Sequence, residues 1–102
     1  MKDAELSFKE TLYEQGEPVD SLHFVEQGVV SLVVVLADNE LIEAGTIGNE
    51  GLIGISGLLR ADAAPVRAIC QIAGDAKRLD IAVARDQPPT SVFARLLLRY
   101  AR

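Results

Sequence analysis

One cysteine, one histidine and no tryptophan occur in the 102 residues. A single thiol, Cys70, excludes an internal disulfide and a cysteine-built zinc or iron–sulfur site. With His23 as the sole imidazole, the usual His/Cys metal constellations fall as well. So does a metal-dependent cupin-like catalyst, which needs several histidines and a glutamate. Ser56 and Ser91 have no second histidine from which a triad is built, so no enzyme is expected. Long hydrophobic runs are also missing. The longest, residues 29–37 broken by Ser31, is nine residues, against the roughly 20 that span a bilayer as a helix. The opening Met1-Lys2-Asp3-Ala4-Glu5 is polar and acidic, unlike a signal peptide. The expectation is a cytoplasmic protein with no membrane contact. Positive charge is scarce: 10 Lys and Arg stand against 15 Asp and Glu, for a net charge of −5. Such a surface repels phosphate backbones, so nucleic acid is not an expected partner of this piece by itself.

What the sequence does have is apolar residue, 49% of the chain, enough for one modest core in a single domain. From Leu6 to Ala37 it reads as strands between turn signals. Leu6 and Phe8 alternate with Ser7 and Lys9, the period-two mark of a half-buried strand. Thr11-Leu12-Tyr13 leads to a turn at Gln15-Gly16-Glu17-Pro18. Leu22–Val25 is the next strand, closed by Glu26-Gln27-Gly28. Val29–Ala37 is β-branched and apolar enough to be buried on both faces. Asp38-Asn39 then predicts a hairpin turn into Glu40–Glu43. Short strands at this spacing point to a barrel or roll.

At Gly45 the texture changes. Glycines fall at 45, 48, 51, 54 and 57 and read as an irregular loop entering a short helix, with Leu52, Ile55 and Leu59 on one face. The backbone N–H groups of Gly48-Asn49-Glu50-Gly51 then converge on an anion, with the helix dipole behind them. The plain alternative is a glycine-rich connection with no ligand. After a loop over 60–65, a strand places Val66, Ala68, Cys70 and Ile72 on one face and Arg67, Ile69 and Gln71 on the other. Gly74-Asp75 turns the chain into a strand over Lys77–Val83. Beyond Pro88-Pro89, capped by Thr90 or Ser91, a helix carries the apolar stripe Val92, Phe93, Leu96, Leu97 and Tyr100, a core face or a dimer seam. Arg95, Arg99 and Arg102 form its solvated side. This helix reaches Arg102 without a stop signal, as if cut or built to be continued.

The succession Tyr13-Glu14-Gln15-Gly16-Glu17-Pro18, then Leu22-His23-Phe24-Val25-Glu26-Gln27-Gly28, then an apolar strand, the Gly-Glu cassette and Val66-Arg67-Ala68, resembles the cyclic-nucleotide-binding domains. Within that family it is most similar to the Crp/Fnr class of bacterial transcription regulators. The resemblance implies a mainly β fold over residues 1–102. This is a double-stranded β-helix, or jelly-roll-like β-roll, with a short cassette helix and the start of a dimerisation helix at 91–102. It implies a ligand-sensing regulatory domain that takes a small-molecule effector. A homodimer would form through the C-terminal helix, and DNA would be reached only through a domain absent from this chain. The site residues it implies are Gly48, Asn49, Glu50, Gly51 and Leu52, with Leu41 and Ile47 as further apolar wall and Arg60 and Arg67 as weaker candidates. Glu50 resembles the cassette Glu that accepts from a ribose hydroxyl. Members that bind cyclic AMP carry Arg-Ser or Arg-Thr ahead of the Val-Arg-Ala strand, where this chain has Asp62 and Ala63. A carboxylate repels a phosphate and alanine offers no hydroxyl. The alternative reading is a structural, dimerising module whose ligand site has decayed. Cys70 reads as an inert core thiol and His23 as a strand residue without special role.

Overall fold

The computed structural model describes residues 2–49, 51–58 and 63–86. The helix expected at 91–102 lies outside them, as do Glu50, Leu59, Arg60 and Asp62. The elements run β1 (Lys2–Leu6), β2 (Thr11–Tyr13), β3 (Ser21–Val35), β4 (Leu41–Ile47), β5 (Leu52–Ile53), α1 (Ile55–Leu58), β6 (Arg67–Asp80) and α2 (Ile81–Arg85). The strands form one six-stranded antiparallel sheet in the order β1-β6-β3-β4, with β2 against β6 and β5 against β3. This is the β-roll expected of the sequence. Two turns fall where their residues predicted them. Gly16 sits at φ +85° in the turn after β2, and Asn39 at φ +66° in the β3–β4 hairpin, where short side chains tolerate a left-handed backbone.

The expected breaks at Gln27-Gly28 and Gly74-Asp75 are not breaks. β3 and β6 each run through them as one long strand, paired from Ser21↔Asp80 to Val33↔Arg67. The glycines mark bulges instead. A Cβ on Gly74 would meet the Gln27 carbonyl oxygen at 2.1 Å, and one on Gly28, at φ +102°, would meet the Ile72 oxygen at 2.5 Å. Only glycine lets the two backbones come so close.

The bulges also shift which residues face inward. Val29 pairs with Ile72 but Val30 with Cys70, so β6 gains a residue and its alternation slips. Ala68 and Cys70 are fully buried as expected, yet Ile72 is 58% exposed. Phe8, expected in a half-buried strand, is 61% exposed. It lies past the end of β1 in a tight turn whose Lys9 has φ +68°. The strand expected over Lys77–Val83 ends at Asp80, and residues 81–85 are helical.

Two apolar clusters result. The larger fills the roll with Leu6, Val25, Val30, Ile53, Ala68, Cys70 and Ala76, flanked by Leu12, Tyr13, Leu32 and Ile47. The second joins Leu22 and Phe24 on the other face of β3 to Ile81 and Ala84 of α2, with Leu52 and Leu79 beside them. Cys70 is a core thiol: burial pushes its pKa up, and its Sγ donates to the Ile72 carbonyl at 3.3 Å. No described helix is long and apolar enough to cross a membrane.

The Gly28/Gly74 approach makes a direct prediction. Gly74→Ala should cost about 1–3 kcal/mol, as overpacking against backbone does. Gly45→Ala, where a Cβ meets nothing within 4 Å, should cost less than about 1 kcal/mol. Urea denaturation of both variants checks this, and equal losses would place the constraint elsewhere.

Candidate functional site

The cassette leaves β4 at Ile47 and returns to the roll at Leu52. Gly51 closes a tight turn by donating its N–H to the Gly48 carbonyl at 2.9 Å, and its own carbonyl accepts from Val25 N–H at 2.9 Å. A Cβ on Gly51 would lie 2.2 Å from the Ile47 methyl Cγ2, so the turn is packed flat against the wall behind it. Gly48 is half-buried and Asn49 is exposed.

The helix expected behind these amides is not there. Leu52 and Ile53 are extended and pair with Phe24 and His23 of β3. Gly54 then turns the chain at φ +99°, with its Cβ position 2.5 Å from the Ser21 carbonyl oxygen. α1 starts only at Ile55 and lasts four residues. A single turn of helix placed after β5 adds no dipole to Gly48–Gly51. Its end is tied down instead: the Arg85 guanidinium of α2 donates to the Gly57 carbonyl.

The expected wall is also redistributed. Ile47 packs on the roll cluster. Leu52 packs on the other cluster, facing α2, and its neighbour Ile53 enters the roll at 2% exposure. Leu41 is 48% exposed at the far end of β4, opposite Val35. Six residue-to-residue steps of strand separate it from Ile47, about 20 Å of rise. Tyr13 and Leu32 are the inward residues that loop reading missed. Their strand periodicity was the available signal, but it names a face and not a cavity.

Arg67 is not gathered into the cassette. It pairs across the sheet with Val33, while Ile47 pairs with Val30, so the two are offset by roughly 10 Å along β3. Its Nε donates to Glu14 Oε1 at 2.6 Å, and this guanidinium holds the Glu14 carboxyl below its ordinary pKa. Gln15, the next residue, bonds both ways with the Val35 backbone, accepting from its N–H at 2.6 Å and donating to its carbonyl at 3.2 Å. The loop entering β6 is pinned to the same turn. Ala64 accepts from Gly16 N–H at 2.9 Å and donates to the Glu17 carbonyl at 2.8 Å. Ala63, just before it, is exposed and brings no polar side chain. Glu50 and Arg60 lie outside the described residues.

His23, read from sequence as an ordinary strand residue, is 8% exposed, and its Nδ1 is buried without a hydrogen-bond partner. Burial chiefly, with the Arg78 charge, lowers its pKa, while Glu10 and Asp20 oppose the shift more weakly. No group of three or more His, Cys, Asp or Glu able to hold a metal occurs among the described residues.

Two outcomes follow. Ile53→Ala should cost about 2–5 kcal/mol, as burial in a core predicts, and Leu41→Ala no more than about 0.5 kcal/mol, by chemical denaturation. Folding also favours neutral His23, so the unfolded chain takes up the proton more readily. Stability is then full above the unfolded pKa near 6.5 and falls as pH drops through it. A urea midpoint measured at pH 7.5 and 5.5 should fall, and the fall should shrink in His23→Gln; an unchanged slope in that variant would assign the pH dependence to other groups.

The family model of the cyclic nucleotide-binding domain matches residues 5–84. Among solved structures, the N-terminal domain of a transcriptional regulator from Streptomyces coelicolor A3(2) is similar with a TM-score of 0.74 at 24% identity, over 99% of this chain and 73% of that one. FixK2 from Bradyrhizobium japonicum gives 0.80 at 16% identity, over 98% of this chain and 50% of that one. The c-di-GMP responsive global regulator CLP of Xanthomonas campestris gives 0.72 at 16%, over 97% and 44%. At these identities the likeness is one of fold, and the chain spans half or less of the last two proteins. No curated protein matches the sequence.

Proposed function

We propose that this chain, which belongs to the cyclic nucleotide-binding domain family, is the ligand-sensing part of a Crp/Fnr-type transcription regulator whose effector is not cyclic AMP. The regulatory role is supported by the family match and by the fold shared with transcription regulators. In this reading the Gly48–Gly51 backbone and Glu50 receive the effector's polar groups, with Ile47 behind them. Arg60 is the candidate cation. A shift in the cassette passes to the segment 91–102, which dimerises, and DNA is met by a domain outside these residues.

The observation that carries the choice of effector is the pair Asp62-Ala63, at the positions where the resemblance calls for Arg and a hydroxyl. A cyclic phosphate there meets a carboxylate and a methyl group instead. Arg67 is already engaged by Glu14. The Xanthomonas regulator named for c-di-GMP has the same fold, which makes a different nucleotide a reasonable class to try.

Calorimetric titration with cyclic AMP, cyclic GMP and cyclic di-GMP tests the reading. Cyclic AMP should give no saturable heat with the native chain. Asp62→Arg combined with Ala63→Ser should strengthen its binding at least about tenfold, or about 1.4 kcal/mol. Tight binding of cyclic AMP by the native chain would overturn the proposal. An unaltered response in the double variant, with the fold intact by circular dichroism, would favour a module whose ligand site has decayed.

A further inference from the structure

At His23, β3 is paired on both sides, with Arg78 of β6 and with Ile53 of β5. The two ladders differ greatly in length. β6 follows β3 from Ser21 to Val33, whereas β5 holds it only through His23↔Ile53 and Phe24↔Leu52. One further bond, from the Val25 N–H to the Gly51 carbonyl at 2.9 Å, completes the tie. These few contacts fasten the returning end of the cassette to the roll. Local openings take the least-tied segment first, which here is β5.

Residues directly opposite each other on paired strands share a face. The His23 ring therefore lies on the face of Ile53, which is buried in the roll cluster, and of Arg78. Lys2 of β1 is in register with Arg78, so His23, Arg78 and Lys2 form one row across three strands. The neutral ring is accommodated there, buried and with Nδ1 closed off and unpartnered. The charged ring is not. Both nitrogens of an imidazolium are donors, so Nδ1 would carry an N–H with no acceptor, and the new charge would stand beside the Arg78 guanidinium. Glu10, ahead of β2, and Asp20, ahead of β3, act in the opposite sense, but less than burial and Arg78. Asp3 and Glu5 of β1 border the same side of the sheet, Asp3 being matched by Lys77. β5 brings no charged group. A charge buried without a partner must regain water, and the two-residue ladder is the one that yields.

We infer that His23 is an acid-sensitive latch on the cassette: protonation of its ring releases the β5 ladder while β3 and β6 stay paired, and so frees the segment from Gly51 to Ile53. The latch concerns how the cassette is anchored and stands whatever effector the cassette takes.

Amide hydrogen exchange followed by NMR on the native chain at pH 7.5 and 5.5 tests this, with protection taken against the intrinsic exchange rate at each pH. Protection of the Val25 and Ile53 N–H groups should fall about tenfold, the ratio expected when the open form takes up a proton with a pKa near 6.5 and the closed form does not. It should also stay below that of Cys70, whose N–H donates to the Glu10 carbonyl at 2.8 Å in the core, because the opening is smaller than global unfolding. Leu36, whose N–H donates to the Glu40 carbonyl on the distant hairpin, should show no such fall. In His23→Gln the fall at Val25 and Ile53 should vanish, and in Arg78→Gln it should shrink. No fall at Val25 and Ile53, protection there equal to that of Cys70, or a fall that persists in His23→Gln would overturn the proposal. The first two outcomes are read on the native chain, so they decide the matter even where a variant does not fold.

Discussion

The crossing of β3 and β6 at Gly28 and Gly74 is the constraint on which the rest of the roll depends. These two strands, 15 and 14 residues long, run through the sheet from end to end. Long antiparallel strands cannot stay flat while closing around a core; they must twist and bend. Here the bend is concentrated where three register shifts fall between Val25 and Val30. Because the carbonyl of Gln27 occupies the space a Cβ on Gly74 would take, the bend is set by backbone against backbone. The inward faces on either side of it then follow. Val25 before the bend and Val30 after it both enter the roll cluster, although an unbroken strand would put them on opposite faces.

That bend also determines what holds the cassette. Beyond it, β3 offers Phe24 and His23 to β5 on one side and to β6 on the other. The cassette therefore returns to a strand already fixed by the longest pairing in the molecule. Gly51, Leu52 and Ile53 are each tied to β3, the first through Val25 N–H and the others through the short ladder. Gly48 and Asn49 have no such tie to β3. The Gly48–Gly51 turn is thus a connection between β4 and β5, not the end of a helix. The continuation, through Gly54 into the single turn of α1, meets α2 by the Arg85 contact with the Gly57 carbonyl. The end of α1 and α2 are thus in direct contact.

Local chemistry was legible where a single residue type decides the backbone. Gly16 and Asn39 announced their turns because left-handed φ favours glycine and asparagine. The ordered succession of turns, apolar strand and glycine cassette carried the fold. Bulges were not legible, because a bulge is a relation between two strands and period-two alternation reads one strand at a time. Hence Gly28 and Gly74 looked like turns, and Ile72 looked buried. The same limit misplaced Leu52. Leu52 and Ile53 are equally apolar neighbours, and only the pairing with Phe24 and His23 decides which of them faces the roll. The segment 81–85 is too short to show a helical period, and its helix rests on Ile81 and Ala84 packing against Leu22 and Phe24. The orphaned Nδ1 of His23 has no sequence signal at all.

Arg67 is where family pattern and local electrostatics part company. A guanidinium in a Val-Arg-Ala strand of an acidic protein is the obvious place for an anion to go, and net charge makes every local cation count. Yet Arg67 lies 2.6 Å from Glu14, with both side chains only partly exposed, and lowers that carboxyl's pKa. An anionic group reaching Arg67 meets a guanidinium already paired through Nε with Glu14, beside a turn that Gln15 and Ala64 hold in place. Residues 62 and 63 bring neither a guanidinium nor a hydroxyl in sequence, and Arg67 carries a charge that Glu14 already matches, so the local electrostatics of this strand depart from the family pattern at the pair and not at Arg67 alone.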